Sequence, residues 1–325
     1  MSHTACLIFN PVAGQGDSEQ DLATIKRHLE PEFVLDIQFT TKEIDAGQLA
    51  RQAVANNAKI IIASGGDGTV SAVTEALIET DIILGVIARG TANAFANALH
   101  IPDTIEAACK NILAGEVKKV DAAMCNNKSM ILLAGIGFEA ETVQDADREA
   151  KDRIGMLAYI LSGLKQLQEF EEFTAEIETE DKVITIDASA VTIANAAPPS
   201  SVLAQGTAGV IFDDGLLDIT ILAPQTKTGA IAKLAEGIAT SIHLLQSGGN
   251  EQAVEREGVG YLRSSWVKVT TDPTQKVVLD GEIIGKTPIK VKCIPESLNV
   301  FVPIAEEVQP NEQLDNLPGI SIKLK

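Results

Sequence analysis

The stretch Lys59-Ile60-Ile61-Ile62-Ala63-Ser64-Gly65-Gly66-Asp67-Gly68-Thr69-Val70 decides the fold. Its short apolar run, bounded by glycines, reads as a buried parallel strand. The glycines open a loop, and a helical pattern follows from Val70 to about Glu79. In such a strand–loop–helix unit, glycines let successive N–H groups point at an anion, and the helix N-terminus adds partial positive charge. Thr69 can cap the helix or serve as a hydroxyl ligand. Asp67 is the unexpected member, because a carboxylate in a phosphate cradle is repelled unless a cation bridges it. It implies a Mg2+-loaded nucleotide; the plain alternative is a glycine turn with Asp67 as a cap.

Outward from this unit the same alternation repeats. Apolar runs at residues 6–9 and 82–87 read as further parallel strands. Residues 21–29, 47–57 and 104–114 read as helices. Strand–helix alternation predicts a doubly wound α/β domain, whose ligands sit beyond the carboxyl ends of the strands. Two more loops fall at that edge: Asn10-Pro11-Val12-Ala13-Gly14 and Gly90-Thr91-Ala92-Asn93. Alone, each is an ordinary turn. Together, three loops on one sheet edge can converge on one ligand. The patterns G-x-x-x-x-G-K-[ST] and G-x-G-x-x-G are both absent, so the expected nucleotide site is of another type.

After about Val120 the period changes to two. Residues 173–178, 182–187, 266–270 and 289–293 alternate apolar and polar side chains, as half-buried antiparallel strands do. The expected fold class is therefore α/β plus all-β. A nucleotide-binding α/β domain covers 1–122, and a β-sandwich covers 123–303. Helical patterns at 153–170 and 228–245 interrupt the second domain. The first carries Ile154, Leu157, Leu161 and Leu164 at helical spacing. That stripe is either core or a wall of an acyl-chain groove. The acidic run at 139–152 reads as a solvated surface. The polar tail from Ala305 ends in Gly319-Ile-Ser-Ile-Lys-Leu, and segment 304–325 either returns to the first domain or frays.

Composition sets outer limits. The 325 residues hold 26 Lys+Arg against 45 Asp+Glu, a net charge of -19, and 45% are hydrophobic. That apolar content supports two cores, and the acidity argues against a nucleic-acid partner. Both halves are acidic, at -7 for residues 1–125 and -12 for 126–325, but residues 256–292 hold seven bases and four acids. Cys6, Cys109, Cys125 and Cys293 are widely spaced, as reduced thiols of a cytosolic protein are. The four histidines show no metal-binding spacing. Neither a secretion signal nor an apolar run of about 18 residues is present, so a soluble cytoplasmic protein is expected.

The loops quoted above, with Asp213-Asp214-Gly215-Leu216-Leu217-Asp218 and Leu279-Asp280-Gly281-Glu282, resemble the diacylglycerol kinase catalytic-domain superfamily in its soluble bacterial branch. The resemblance runs from about Ala5 to Pro303. It implies an ATP-dependent, Mg2+-dependent lipid kinase acting on diacylglycerol or a related lipid alcohol. Asn10, Pro11, Val12, Ala13, Gly14, Gly66, Asp67, Gly68, Thr69, Val70, Ser71, Ala72 and Thr91 would line the ATP site. Thr40, five residues before Asp45-Ala46, would join them. Asp280 would be the general base that accepts the proton of the lipid hydroxyl. Without that resemblance, Asp280-Gly281 reads as a hairpin turn. Asp214, with the carbonyls of Ile211 and Leu216, would hold a second, structural metal.

The chain departs from the family pattern in places. Ser71 and Ala72 stand where an Asn-Glu pair is usual, Ala94 where an Asp is frequent, and the lysine often found after the first loop is missing. The acidic network near Asp67 is thereby reduced to Asp67, joined at most by Asp121. Arg89, beside Gly90-Thr91, is either a phosphate-facing charge or a solvated loop residue. Alternatives stay open: a sphingoid-base or phosphatidylglycerol-type lipid kinase, a non-catalytic lipid- or nucleotide-binding relative, and, most weakly, an NAD kinase. The lipid substrate would be met by transient visits to a membrane surface, with the basic strip 256–292 facing phospholipid or ATP phosphates. The oligomeric state is open, a homodimer included.

Overall fold

The computed structural model describes residues 3–14, 16–114, 116–137, 172–198, 210–223, 258–303, 319 and 321–324. The expected helices at 153–170 and 228–245, the acidic run at 139–152 and most of the tail lie outside them.

The first half alternates as the sequence predicts: β1 (His3–Phe9), α1 (Ser18–Leu29), β2 (Phe33–Phe39), α2 (Ala46–Ala55), β3 (Ile60–Gly65), α3 (Asp67–Leu77), β4 (Ile83–Ala88), α4 (Ala94–Ala98) and α5 (Ile105–Ala114). Strands then dominate the described residues: β5 (Glu116–Cys125), β6 (Lys128–Met130), β7 (Leu133–Gly137), β8 (Phe173–Glu178), β9 (Lys182–Ala188), β10 (Ala190–Ala194) and β11 (Leu217–Leu222). After them come β12 (Val259–Ser264), β13 (Trp266–Asp272), β14 (Lys276–Leu279), β15 (Glu282–Lys286), β16 (Ile289–Val302) and β17 (Ser321–Leu324).

Strands β2, β1, β3 and β4 pair in parallel in that order. Helices α1 and α5 cover one face and α2 and α3 the other, so the sheet is buried on both sides. The continuous apolar runs of β1, β3 and β4 follow from that double burial. Leu7, Ile8, Phe9, Ile61 and Ile62 are buried almost completely, each contributing roughly 1.5–3 kcal/mol on transfer from water. Caps fix the helix starts. The Asp17 carboxylate accepts from the N–H groups of Glu19 and Gln20, and Asp45 forms a reciprocal capping box with Gln48. Strand β2 and the short α4 escaped the sequence reading. Strand β2 lies at the edge of the sheet with most side chains partly exposed, so it lacks a continuous apolar run.

The β-rich half packs two sheets face to face. One is the six-stranded antiparallel order β12-β11-β10-β7-β14-β15; the other contains β9, β8, β13, β16, β5 and β6. Ile136, Val191 and Ile219 of the first sheet and Ile177, Val269 and Val291 of the second share one core.

The boundary expected at 122/123 cuts through β5. That strand and β16 belong to both halves: β16 pairs with β13 near its start, while Asn299 and Val300 lie parallel to Ile83 and Leu84 of β4. One eleven-stranded sheet thus runs through the molecule. The tail also differs from expectation. Its residues 321–324 pair with β9 at the edge of the β-rich half, not with the α/β half.

Candidate active site

The three loops meet at the carboxyl edge of the parallel strands, where the chain must leave each strand and turn. Asn10 ties the first to the second: its Nδ2 donates to Thr69 Oγ1 at 2.9 Å, and its N–H donates to the Ser64 carbonyl. The third packs on the second through glycine. A Cβ on Gly90 would stand 2.8 Å from the Cα of Gly66, a contact that only a bare backbone permits. Asn93 closes its own loop by accepting from the Gly90 N–H and donating back to the Gly90 carbonyl.

Asp67 joins the loops from the first turn of α3. Its Oδ1 accepts from the Ala94 N–H at 2.6 Å and its Oδ2 from the Asn93 N–H at 3.0 Å. It therefore caps α4, the helix of the neighbouring loop. Burial raises its pKa above the ordinary carboxylate value, and the Ala94 and Asn93 N–H groups oppose that rise. The N-cap residue of α3 is Gly66, which has no side chain to offer a cap.

Facing these loops across a cleft of about 1280 Å3 is the β14–β15 hairpin. Its two-residue turn is Asp280-Gly281, with φ of 47° and 90°. The turn reading of this motif is therefore correct, and the same turn directs Asp280 to the cleft wall. The carboxylate accepts three backbone hydrogen bonds, from Ile131 (2.8 Å), Leu132 (3.0 Å) and Leu133 (2.9 Å). Loss of solvent pushes its pKa up to about 6. The three N–H donors hold it down, and the Glu75 carboxylate raises it further.

Val12, Ala13, Gly14, Gly66, Asp67, Gly68, Ser71, Ala72, Thr91 and Asp280 line the cleft, as the sequence reading asks. Asn10 and Thr69 brace the loops from behind, and Pro11 and Val70 complete their backbones; none of these four lines the cleft. Thr40 follows β2, its N–H donating to the Phe9 carbonyl, and also lies outside the lining. Asp121 is not in the cleft either: it accepts from the N–H groups of Gly215 and Glu296, bracing a loop and the bulge in β16.

Glu75, Lys128, Ser129, Ile131, Glu282 and Ile284 also line the cleft, and the sequence reading missed them. Glu75 had a readable signal, because Gly68, Ser71, Ala72 and Glu75 share one face of α3 at positions i, i+3, i+4 and i+7. Arg89, left open between a phosphate-facing charge and a solvated loop residue, lines the cleft but is held from within. Only 6% exposed, it pairs with Asp21 at 2.7 Å, donates to the Asn10 carbonyl and lies 4.3 Å from the Phe9 ring centroid.

The residues present fit a Mg2+ ion arriving with a nucleotide. Such an ion takes most of its ligands from phosphate and water and needs one or two carboxylates; Asp67, Glu75 and Glu282 offer hard oxygen donors in an open cleft. They do not fit a structural metal at Asp214. The Arg263 guanidinium donates to Asp214 Oδ2, and the Leu216 N–H donates to Oδ1. Arg263 also faces the fully buried Asp218 at 3.3 Å, whose other neighbour is the Tyr261 hydroxyl. Burial pushes Asp218 up to about 7, against the pull of Tyr261 and Arg263. Among the described residues no cluster of three acidic, His or Cys side chains gathers around a common point for a metal.

The basic strip keeps three exposed lysines together: Lys268 pairs with Lys290 across β13 and β16, and Lys292 lies two residues on. Arg263 turns inward, Lys268 faces Glu178 at 4.0 Å and Lys290 lies over the Trp266 ring. Arg256 is outside the described residues. Among those residues no helix is long and apolar enough to cross a membrane.

Comparison with known proteins agrees with this geometry. Residues 4–125 match the family model of the diacylglycerol kinase catalytic domain, and 133–302 that of the YegS C-terminal NAD kinase beta sandwich-like domain. The chain is 50% identical over 312 residues to an uncharacterized protein of Synechocystis sp., covering 93% of this chain and 70% of that one. It is 30% identical over 318 residues to the diacylglycerol kinase of Bacillus subtilis, covering 96% and 99%. A crystal structure of a proposed diacylglycerol kinase from Bacillus anthracis superposes with a TM-score of 0.76 at 27% identity, covering 92% and 95%.

Proposed function

The chain belongs to the diacylglycerol kinase catalytic-domain family of lipid kinases, and on that footing we propose that it transfers the γ-phosphoryl group of ATP to the primary hydroxyl of diacylglycerol or a related lipid alcohol. One observation carries the reading: Asp280, with its pKa raised to about 6, lines the same cleft as the glycine loop at the N-terminus of α3. The loops of Gly66 and Gly14 would receive the triphosphate, and backbone N–H groups with the helix dipole would hold its charge. Bound Mg2+ would screen the phosphate oxygens and the cleft carboxylates from one another.

Asp280 would act as general base. Its carboxylate form accepts the proton of the lipid hydroxyl as that oxygen bonds to phosphorus and the bond from phosphorus to ADP breaks. The three N–H donors orient the carboxylate without supplying a full counter-charge, so its basicity stays near neutral. Ile131, Leu279 and Ile284 add an apolar stretch of wall beside it, suited to the first methylenes of an acyl chain.

The test is a panel of diacylglycerol, sphingoid base and phosphatidylglycerol in mixed micelles with labelled ATP and Mg2+, the products separated by thin-layer chromatography. A labelled phosphatidic acid spot is expected. Label only on sphingoid base or phosphatidylglycerol would replace the acceptor, and nucleotide binding with no labelled lipid would establish a non-catalytic relative.

A further inference from the structure

We propose that Lys128 is the side chain that contacts the γ-phosphoryl group, an inference resting on the nucleotide reading above. The cleft wall is strongly acidic, with Asp67, Glu75, Asp280 and Glu282 on it. A triphosphate brings further negative charge, so its terminal group needs a cation from the protein as well as Mg2+. Two cationic side chains line the cleft among the described residues, Arg89 and Lys128. Arg89 is spent: it is buried, paired with Asp21 and stacked on Phe9. Lys128 is exposed, and among the described residues no carboxylate lies within ion-pair distance of it.

The fold holds this lysine toward the base. Lys128 pairs with Cys125 across the β5–β6 turn, so its side chain leaves the sheet on the face that buries Cys125 and Met130, not on the face of Ser129. The turn is pinned to β16: the Asn126 N–H donates to the Lys290 carbonyl, and Asn126 Oδ1 accepts from the Lys290 N–H at 2.9 Å. Asp280 and Lys128 are both close enough to act electrostatically on the Cys125 thiol, in opposite directions. Lys128 thus stands on the Asp280 side of the cleft, where the transferred group must pass between nucleotide and acceptor. Sequence inspection offered no sign of this, because Lys128 is one lysine in an unremarkable turn.

Calorimetric titration with ATP and with ADP, both with Mg2+, tests the assignment. Wild-type protein should bind ATP more tightly than ADP. Lys128→Met should lose about 10- to 100-fold in ATP affinity, the size of a charge-assisted hydrogen bond, and leave ADP affinity within about twofold. Lys128→Arg should restore most of the ATP preference, and Lys110→Met, an exposed lysine of α5 outside the cleft lining, should behave as wild type. An unchanged ratio of ATP to ADP affinity in Lys128→Met overturns the assignment. Failure of wild-type protein to bind either nucleotide would instead defeat the nucleotide reading on which it rests.

Discussion

Two aspartates in the β-rich half, Asp280 and Asp218, are both withdrawn from water and both shifted upward in pKa, yet they are held in opposite ways. Asp280 takes three N–H bonds from neutral backbone and stands at an open cleft. Asp218 faces the Arg263 guanidinium and the Tyr261 hydroxyl, sealed inside the sheets. Neutral donors orient a carboxylate and leave its charge available to a substrate proton. A permanent cation and a closed wall neutralise the charge and leave structure only. The comparison separates a site of chemistry from a site of support, although each lies in or close to an Asp-Gly turn, Asp280-Gly281 and Asp214-Gly215.

The largest expected effect breaks the comparison at the cleft. Asp280→Asn keeps the size of the side chain and removes its basicity, so turnover should fall by about 10²–10⁴ with ATP affinity nearly intact. Initial rates on micellar lipid alongside calorimetry would check both halves of that statement. Next comes the support site. Arg263→Met leaves Asp218 buried with no cation, and the variant should lose roughly 3–5 kcal/mol of stability, seen as a lower urea midpoint. Wild-type protein without nucleotide should unfold at the same temperature with and without a chelator, since Arg263 already neutralises Asp214.

pH gives a third, milder test. Because Asp280 works as the carboxylate and its pKa lies near 6, kcat/KM should rise about tenfold per unit below pH 6 and level off above it. A flat profile from pH 5 to 8 would contradict the base assignment. Among the substitutions, the smallest effect is expected from Glu75→Gln. Removing that neighbouring charge takes away one cause of the upward shift of Asp280, so the acid limb should move to lower pH by a fraction of a unit.

Much of the site was readable along the chain. The convergence of three loops followed from strand–helix alternation alone, because a parallel sheet sends all its carboxyl ends to one edge. The Glu75 position was within reach of helical periodicity. Other features depended on distant partners. For Arg89 the sequence left a phosphate contact and a solvated residue equally open, and only the fold shows it held by Asp21, 68 residues away. Asp214 fitted a metal signature until Arg263, 49 residues on, was seen to donate to it.

What the sequence by itself determined is the set of local periods and turns: the α/β half, the glycine loops, and the hairpin at Asp280-Gly281. These depend on backbone conformation and on neighbours a few residues apart, which a linear pattern records. The tertiary structure alone decided which charges are free. Whether a lysine, arginine or aspartate meets substrate or an internal partner depends on pairings across sheets, such as Asn126 with Lys290 and Asp218 with Arg263. Coulomb energy is governed by distance and solvent in three dimensions, and separation along the chain carries little of either.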